Sequence, residues 1–307
     1  MTQSWEDHQK LLAELDRQRI EREAHEAQER QEAIEAPLRE RALELARTPV
    51  DLTRYRNERN LMLFPFCSTA KAKRIKGIRY VSADGKRWLE VTANYDYGMA
   101  KIWDFDILRF AISKAGEITL KIGYFPSYVD FTAYECLKAI GRITNTGKNY
   151  VWIEEALDRL TTTAYKGNIF REDEQRSETF TLINIECIKD EKKRIDKIRV
   201  YFNQRIRESA KLRGLLVIDS AIFHEDAGIK KRLLELVAVS VGKESSWTVG
   251  LERLQALCAH DGELKEFKRQ LKGYELPWKV SFSKTKTIGR NENVTFVGKV
   301  ATEASEE

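Results

Sequence analysis

The feature that most constrains this chain is an order of hydrophobic frames that occurs twice. In the first copy, Trp103–Ala115 places Ile107, Leu108, Ala111 and Ile112 on one helical face. Thr132 and Glu135 then have capping-box spacing and open a second helix through Leu137 and Ile140 to Gly141. A third, from Tyr150 to about Thr161, buries Ile153, Ala156, Leu157 and Leu160 at i, i+3, i+4, i+7. Alternating segments follow near Ile169 and across Phe180–Ile188, and a charged loop, Lys189–Arg194, leads into a strand over Ile195–Phe202. In the second copy the helices are Gly228–Val241, Thr248–Ala259 and Glu263–Tyr274, closed by strands over Trp278–Thr285 and Val294–Val297. Helix, helix, helix, β-hairpin is the order of a winged helix, a helix-turn-helix variant. The chain is therefore expected to be α+β, with two tandem winged-helix domains that share an architecture without sharing a sequence repeat.

The flanks read differently. Residues 4–47 are rich in Glu, Arg, Gln and Ala and lack Gly, which predicts a charged, solvated arm, helical or partly disordered, without coiled-coil heptads. Pro37 is expected to interrupt it and Pro49 to end it. From Asn60 the texture changes, and Leu61–Phe66 and Trp88–Val91 look like strands around a turn at Asp84-Gly85. These changes divide the chain into an arm (1–57), a first domain (58–202), a second (203–300) and an acidic tail (301–307).

A formal net charge of +5 hides an uneven distribution. Residues 1–48 hold 8 Lys/Arg against 12 Asp/Glu, and three Glu lie among the last five residues. Residues 49–302 carry 45 basic and 33 acidic side chains, about +12 on the body, which points to a polyanion partner. Cys67, Cys136, Cys187 and Cys258 stand apart and read as buried small hydrophobes in a reducing cytosol, neither a disulfide framework nor a zinc site. No apolar run is long enough for export or a membrane span, so a cytoplasmic protein associated with nucleoid or plasmid is expected.

Enzymatic readings find little support. His8, His25, His224 and His260 are scattered, and no phosphate-loop or Gly-x-Gly-x-x-Gly motif occurs. Asp104 and Asp106 suit the start of a helix, where acidic groups favour its dipole, better than a metal pair. No catalytic residue, metal or cofactor is expected.

The segment Glu263–Tyr274 carries the binding chemistry. Leu264, Phe267 and Leu271 form its buried stripe, while Lys265, Lys268, Arg269 and Lys272 collect on another side. In the third helix of a winged helix that side faces the major groove, with Arg269 suited to a guanine and the lysines to phosphates. Lys279, Lys284, Lys286 and Arg290 put further positive charge on the hairpin behind it. The first domain offers Arg142, Lys148, Asn149, Tyr150, Arg159 and Lys166, diluted by Glu154, Glu155 and Asp158. Base reading and backbone or protein contacts are both open for that domain.

Several strings resemble the plasmid replication initiator protein A family. They are Asn60–Phe66, Tyr97–Asp104 with its Gly-Met-Ala-Lys-Ile-Trp-Asp run, Phe131–Gly141, Glu155–Leu160, Ile229–Arg232, Trp247–Leu257 and Leu264–Leu271. The resemblance covers about 58 to 297. It implies an initiator that binds repeated double-stranded origin sites (iterons), opens adjacent AT-rich duplex and recruits host proteins. The host chromosomal initiator, the replicative helicase and the sliding clamp are the partners it suggests, together with a monomer–dimer equilibrium. A winged-helix repressor or plasmid copy-control regulator is the alternative, since origin opening adds no diagnostic chemistry. Leu61, Leu63 and Phe64 are also similar to a sliding-clamp-binding peptide, although Asn60 replaces its leading Gln and the residues equally suit a core strand.

Overall fold

A computed structural model of the chain describes residues 2–50, 52–170, 177–189, 191, 195–242, 244–284 and 292–298. Helix α1 (Thr2–Ala46) is the charged segment, and it does not break at Pro37. Proline removes the bond to the carbonyl four residues earlier, but Ala33 is exposed, so water can satisfy it. The last turns of α1 are packed on one face: Ala42 and Ala46 are fully buried in the main core.

Strand β1 (Tyr55–Glu58) pairs antiparallel with Leu215–Ile218, although the two lie far apart in the chain. Next, Arg59–Leu63 forms helix α2 in place of the expected strand, because the Glu58 side chain caps the Leu61 N–H. Strands β2 (Ile78–Val81) and β3 (Trp88–Thr92) form a hairpin across Asp84-Gly85. Helix α3 (Phe105–Ile122) runs through Gly116, past its expected end at Ala115. A Cβ at Gly116 would lie 2.9 Å from the Arg56 side chain and 3.0 Å from Leu215, so this glycine lets β1 and its partner strand pack closely on α3.

From α3 onward the elements are β4 (Tyr128–Thr132), α4 (Ala133–Ala139), α5 (Gly147–Thr162), β5 (Ala164–Gly167), β6 (Glu178–Phe180), β7 (Ile183–Lys189) and β8 (Ile195–Phe202). The expected capping box is formed, with Glu135 N–H donating to Thr132 Oγ1 at 3.0 Å and Thr132 N–H to Glu135 Oε2 at 2.7 Å. Helix α6 (Gln204–Arg213) leads to β9 (Leu215–Ile218), the partner of β1.

Helix α7 (Gly228–Val241) opens the second run, followed by β10 (Ser246–Gly250), α8 (Leu251–Leu257), α9 (Leu264–Gly273), β11 (Lys279–Lys284) and β12 (Glu292–Val297). The aromatic and β-branched residues Trp247, Thr248 and Val249 form a strand where a longer helix was expected, and Leu251 starts the helix.

The two runs share more than the order of their helices. With β5 and β6, which intervene between α5 and β7, set aside, each is helix, strand, helix, helix, strand, strand, with one sheet ordered β4-β8-β7 and the other β10-β12-β11. In both, the strand before the second helix pairs with the last strand. A further sheet, β2-β3-β5-β6, belongs to the first half alone.

The expected boundaries at 57/58 and 202/203 fall inside packed structure. Ile206 and Ala210 belong to the core built around α3, α4 and α5, while Tyr80 belongs to the core of the second half. Between the halves lies a buried polar layer. Arg109 on α3 makes two bonds to Glu235 on α7, at 2.8 and 2.7 Å, and one to Asp106 at 2.8 Å. Lys231 Nζ reaches Asp106 at 2.8 Å, and Asn57 donates to Glu235 at 2.6 Å. Arg232 donates to the carbonyls of Met62 and Phe64, each at 2.9 Å, and of Leu257 at 3.0 Å. Gly228 completes the contact, since a Cβ there would collide with the Thr69 carbonyl.

Candidate nucleic-acid interface

Helix α9 is built on Phe267 and Leu271, both buried, with Leu264 half-buried beside them. That packing turns the cationic side outward, but its four charges have different surroundings. Lys265 is exposed and has no ionic partner among the described residues. Lys268 is half-buried and held by both carboxylate oxygens of Glu292 on β12, at 2.5 and 2.6 Å. Arg269 has 74% of its side chain exposed and makes a two-bond pair with Glu266 on its own helix, both bonds 2.7 Å. Hydrogen bonding from Arg269, then from Gln270, holds the Glu266 carboxyl down at about 2, so this pair is ionised at neutral pH. Lys272 is exposed, with its ammonium 5.3 Å from the Phe282 ring centroid on β11.

The cationic side of α9 therefore runs against the β11–β12 hairpin. Lys268 acts mainly as the tie between helix and hairpin, while Lys265, Arg269 and Lys272 face solvent. Lys279 is exposed at the start of β11. Lys284 lies on β11, with its side chain outside the described residues, as are Lys286 and Arg290 entirely.

The equivalent helix of the first half, α5, differs. Lys148 is exposed in its first turn. Asn149 Nδ2 donates to the Ile143 carbonyl at 2.7 Å, and the Tyr150 hydroxyl donates to the Thr144 carbonyl at 3.1 Å. Both side chains thus brace the turn before the helix. The Arg142 guanidinium stacks on Trp152, 3.6 Å from the ring centroid. Lys166 is exposed, but on β5 in the separate four-stranded sheet. Arg159 corrects the sequence expectation: it is buried and donates to Asp104 at 2.7 and 2.9 Å, so it is unavailable to DNA. Asp104 makes no side-chain cap. Asp104 does stand at the N-cap and Asp106 in the first turn, as expected, and both also supply buried counter-charges, to Arg159 and to Arg109 and Lys231.

The clamp-peptide resemblance also changes meaning. Leu61 is buried in the core, Leu63 and Phe64 are half-buried, and Phe64 packs edge-on against Tyr80 with centroids 5.8 Å apart. The segment is a short helix between the halves, with no free strand to offer.

Cys67, Cys136 and Cys258 are buried and unpaired, and burial pushes the Cys67 and Cys258 thiols up to about 12. These three pack as hydrophobes, as expected, whereas Cys187 is only half-buried. No group of three metal-ligating side chains is assembled among the described residues, and no described helix is long and apolar enough to cross a membrane. Sequence reasoning missed Arg109, Lys231, Arg232 and Glu235. The signal was present in part, since α7 carries Lys230, Lys231, Arg232 and Glu235 among mostly apolar residues.

Together these features define a mixed α/β protein with two like-ordered units fastened by a buried ionic layer and a cationic helix beside the second hairpin. The family model for replication initiator protein A matches residues 56–276, and the chain belongs to that family of replication initiators. No curated protein sequence matches it. Among solved structures it is similar to domains 2 and 3 of RctB, crystallised as selenomethionine derivatives. The TM-score is 0.52 at 12% identity, covering 78% of this chain and 96% of that one. A second crystal structure of the same RctB domains aligns with a TM-score of 0.49 at 11% identity, over 78% and 95%. At such identities the likeness concerns the fold.

Proposed function

We propose that the chain initiates plasmid replication by binding repeated double-stranded sites at the origin through two winged helices, of which the second supplies most of the affinity. The winged-helix reading rests on the twice-repeated order of elements and the matching strand orders. The observation that carries the functional reading is α9. Lys265, Arg269 and Lys272 are exposed along one side of a third helix that is tied to its hairpin through Lys268 and Glu292. Such a helix enters a major groove while the hairpin follows the backbone. Helix α5 has lost Arg159 to the core, and its exposed face includes Val151 and Glu155. It therefore contributes backbone or protein contacts, including those that recruit host replication proteins. In this reading the chain acts in the cytoplasm by binding and by opening adjacent duplex, and no catalytic step is assigned to it.

Footprinting on the parental plasmid, joined to a salt titration, tests this reading. Neutralising six to eight phosphates gives a log–log slope of about −5 to −7. Arg269→Ala should cost roughly 1–3 kcal/mol on the footprinted site and little on random duplex, because a base contact discriminates and a phosphate contact does not. The arginine must first leave Glu266, so Glu266→Gln should raise affinity for both. A flat salt response overturns duplex binding. Protection of a single palindrome over the gene's own promoter, without direct repeats, replaces initiation by repression.

A further inference from the structure

Outside α9, the loop between α2 and β2 is rich in positive charge. Four of the seven residues from Ala70 to Lys76 are basic: Lys71, Lys73, Arg74 and Lys76. This loop is fastened at several points. The Arg74 carbonyl accepts from Met99 N–H at 2.9 Å, and the Lys71 carbonyl accepts from Lys101 Nζ at 2.7 Å. Lys73 donates to the Asp96 carbonyl at 2.7 Å. Gly98 is left-handed, with φ 81°, and a Cβ there would lie 2.8 Å from Lys73 Cγ. The loop is packed down on a turn that admits no side chain.

Its position connects it to α9. Arg74 crosses to the second half, donating to the Ala259 carbonyl at 2.5 Å and lying 3.7 Å from the Asp261 carboxylate. Ala259 has a φ of 51°, which is unfavourable for a residue with a Cβ, and it sits in the turn between α8 and α9. Arg74 thus braces the turn that aims α9. A cleft of about 550 Å³ separates Lys71 from Gln270 and Tyr274, on the flank of α9 away from the side where Lys268 meets the hairpin. A duplex lying along the exposed side of α9 would therefore have the hairpin on one flank and this loop on the other.

Resting on the reading of α9 as the groove-entering helix, we propose that Lys71 and Lys76 bind backbone phosphates of the same duplex, on the flank opposite the hairpin. Both are exposed. Lys71 has its ammonium 5.9 Å from the Trp103 ring, and Lys76 has no ionic partner among the described residues. Asp226 and Asp261 line the cleft together with Lys71, and Arg74 answers Asp261 from the loop. A phosphate contact from the first half would place the two halves on one stretch of backbone and make the rigid layer between them part of recognition.

The test uses the full chain and a labelled random-sequence duplex several turns long, titrated with salt, alongside a single strand of the same sequence. Three variants are compared with the parent: Lys71→Ala/Lys76→Ala, Lys265→Ala/Lys272→Ala, and Lys121→Ala on the exposed end of α3. The loop variant should lower the log–log slope by about 2 and weaken duplex binding on all sequences alike, with an unchanged melting temperature. Lys121→Ala should change nothing. If the parent binds no duplex, or the α9 variant is silent, the reading of α9 fails. If the α9 variant loses slope while the loop variant keeps the parental value, the loop assignment is overturned and the α9 reading stands. Loss of single-strand binding with duplex binding intact would also overturn it.

Discussion

Arg109 joins α3 to α7 and to the turn before α3 through side-chain chemistry alone. It is fully buried between Glu235 and Asp106, and its third donor position reaches the Ile102 carbonyl at 3.1 Å. Burial pushes the Glu235 carboxyl up, yet Arg109, Arg232 and Asn57 outweigh that and leave it below the usual carboxylate range. Replacing Arg109 by Met takes away the ion pair of buried Glu235 and leaves Asp106 with Lys231 alone, and should cost about 3–5 kcal/mol, read as a lower midpoint in chemical denaturation. A loss under about 1 kcal/mol would mean that the layer contributes little. His260, in the turn before α9, gives a pH effect. Burial holds its imidazole below the ordinary value of 6.5; Asp261 and Glu266 oppose this and Arg74 adds to it. The unfolded histidine therefore takes its proton at higher pH than the folded one. The contribution to stability is complete above 6.5 and is lost as pH falls through that value toward the folded pKa. His260→Gln should narrow the stability difference between neutral and mildly acidic solution, and an unchanged difference would exclude the imidazole as its source. Charged residues are where the sequence was hardest to read. Arg159 and Arg269 both sit on amphipathic helices, yet one is buried on Asp104 and the other faces solvent.

Among the elements, the amphipathic helices were legible because their apolar spacing matches the helical period. The start of α4 was legible to the residue, since Thr132 and Glu135 satisfy each other's backbone groups locally. Thr132→Ala should cost about 1 kcal/mol, and a thermal melt of the full chain measures it. Short strands were less legible. β4 and β10 each run directly into a helix, and only pairing with β8 and β12 makes them strands. The region Leu61–Phe66 went the other way, with Glu58 capping a single helical turn that alternation alone would have made a strand. Helix α9 could be read face by face, but its charge could not be summed from sequence. Glu266 lies on the same helix, and Glu292 arrives from β12.

At the scale of the whole molecule, the two like-ordered units do not behave as beads on a linker. β1 pairs with β9 across some 160 residues of chain, α2 packs on α7, and the ionic layer is sealed from water. The halves should therefore unfold in one transition rather than two, which calorimetry would reveal as agreement between calorimetric and van't Hoff enthalpies. The long first helix divides functionally along its length. Residues 17–33 are exposed throughout, whereas Ala42 and Ala46 are buried against the first core. Deleting residues 1–30 should leave the melting temperature within about 2 °C of the parent, while deleting 1–46 should lower it by several degrees. Equal effects from the two deletions would contradict that division.

Local chemistry was enough to specify the helices, their inward faces, the capping box and the two-fold order of elements. Each of these depends on residues within a few positions of one another, and so did the strings that resemble the initiator family. Tertiary structure decided which charges are free. A cation's availability depends on whether an acid from a distant element reaches it, as Glu292 reaches Lys268 and Asp104 reaches Arg159, and on how much water the fold leaves around the pair. Those distances are set by packing between elements far apart in the chain, and nothing in their local spacing encodes them.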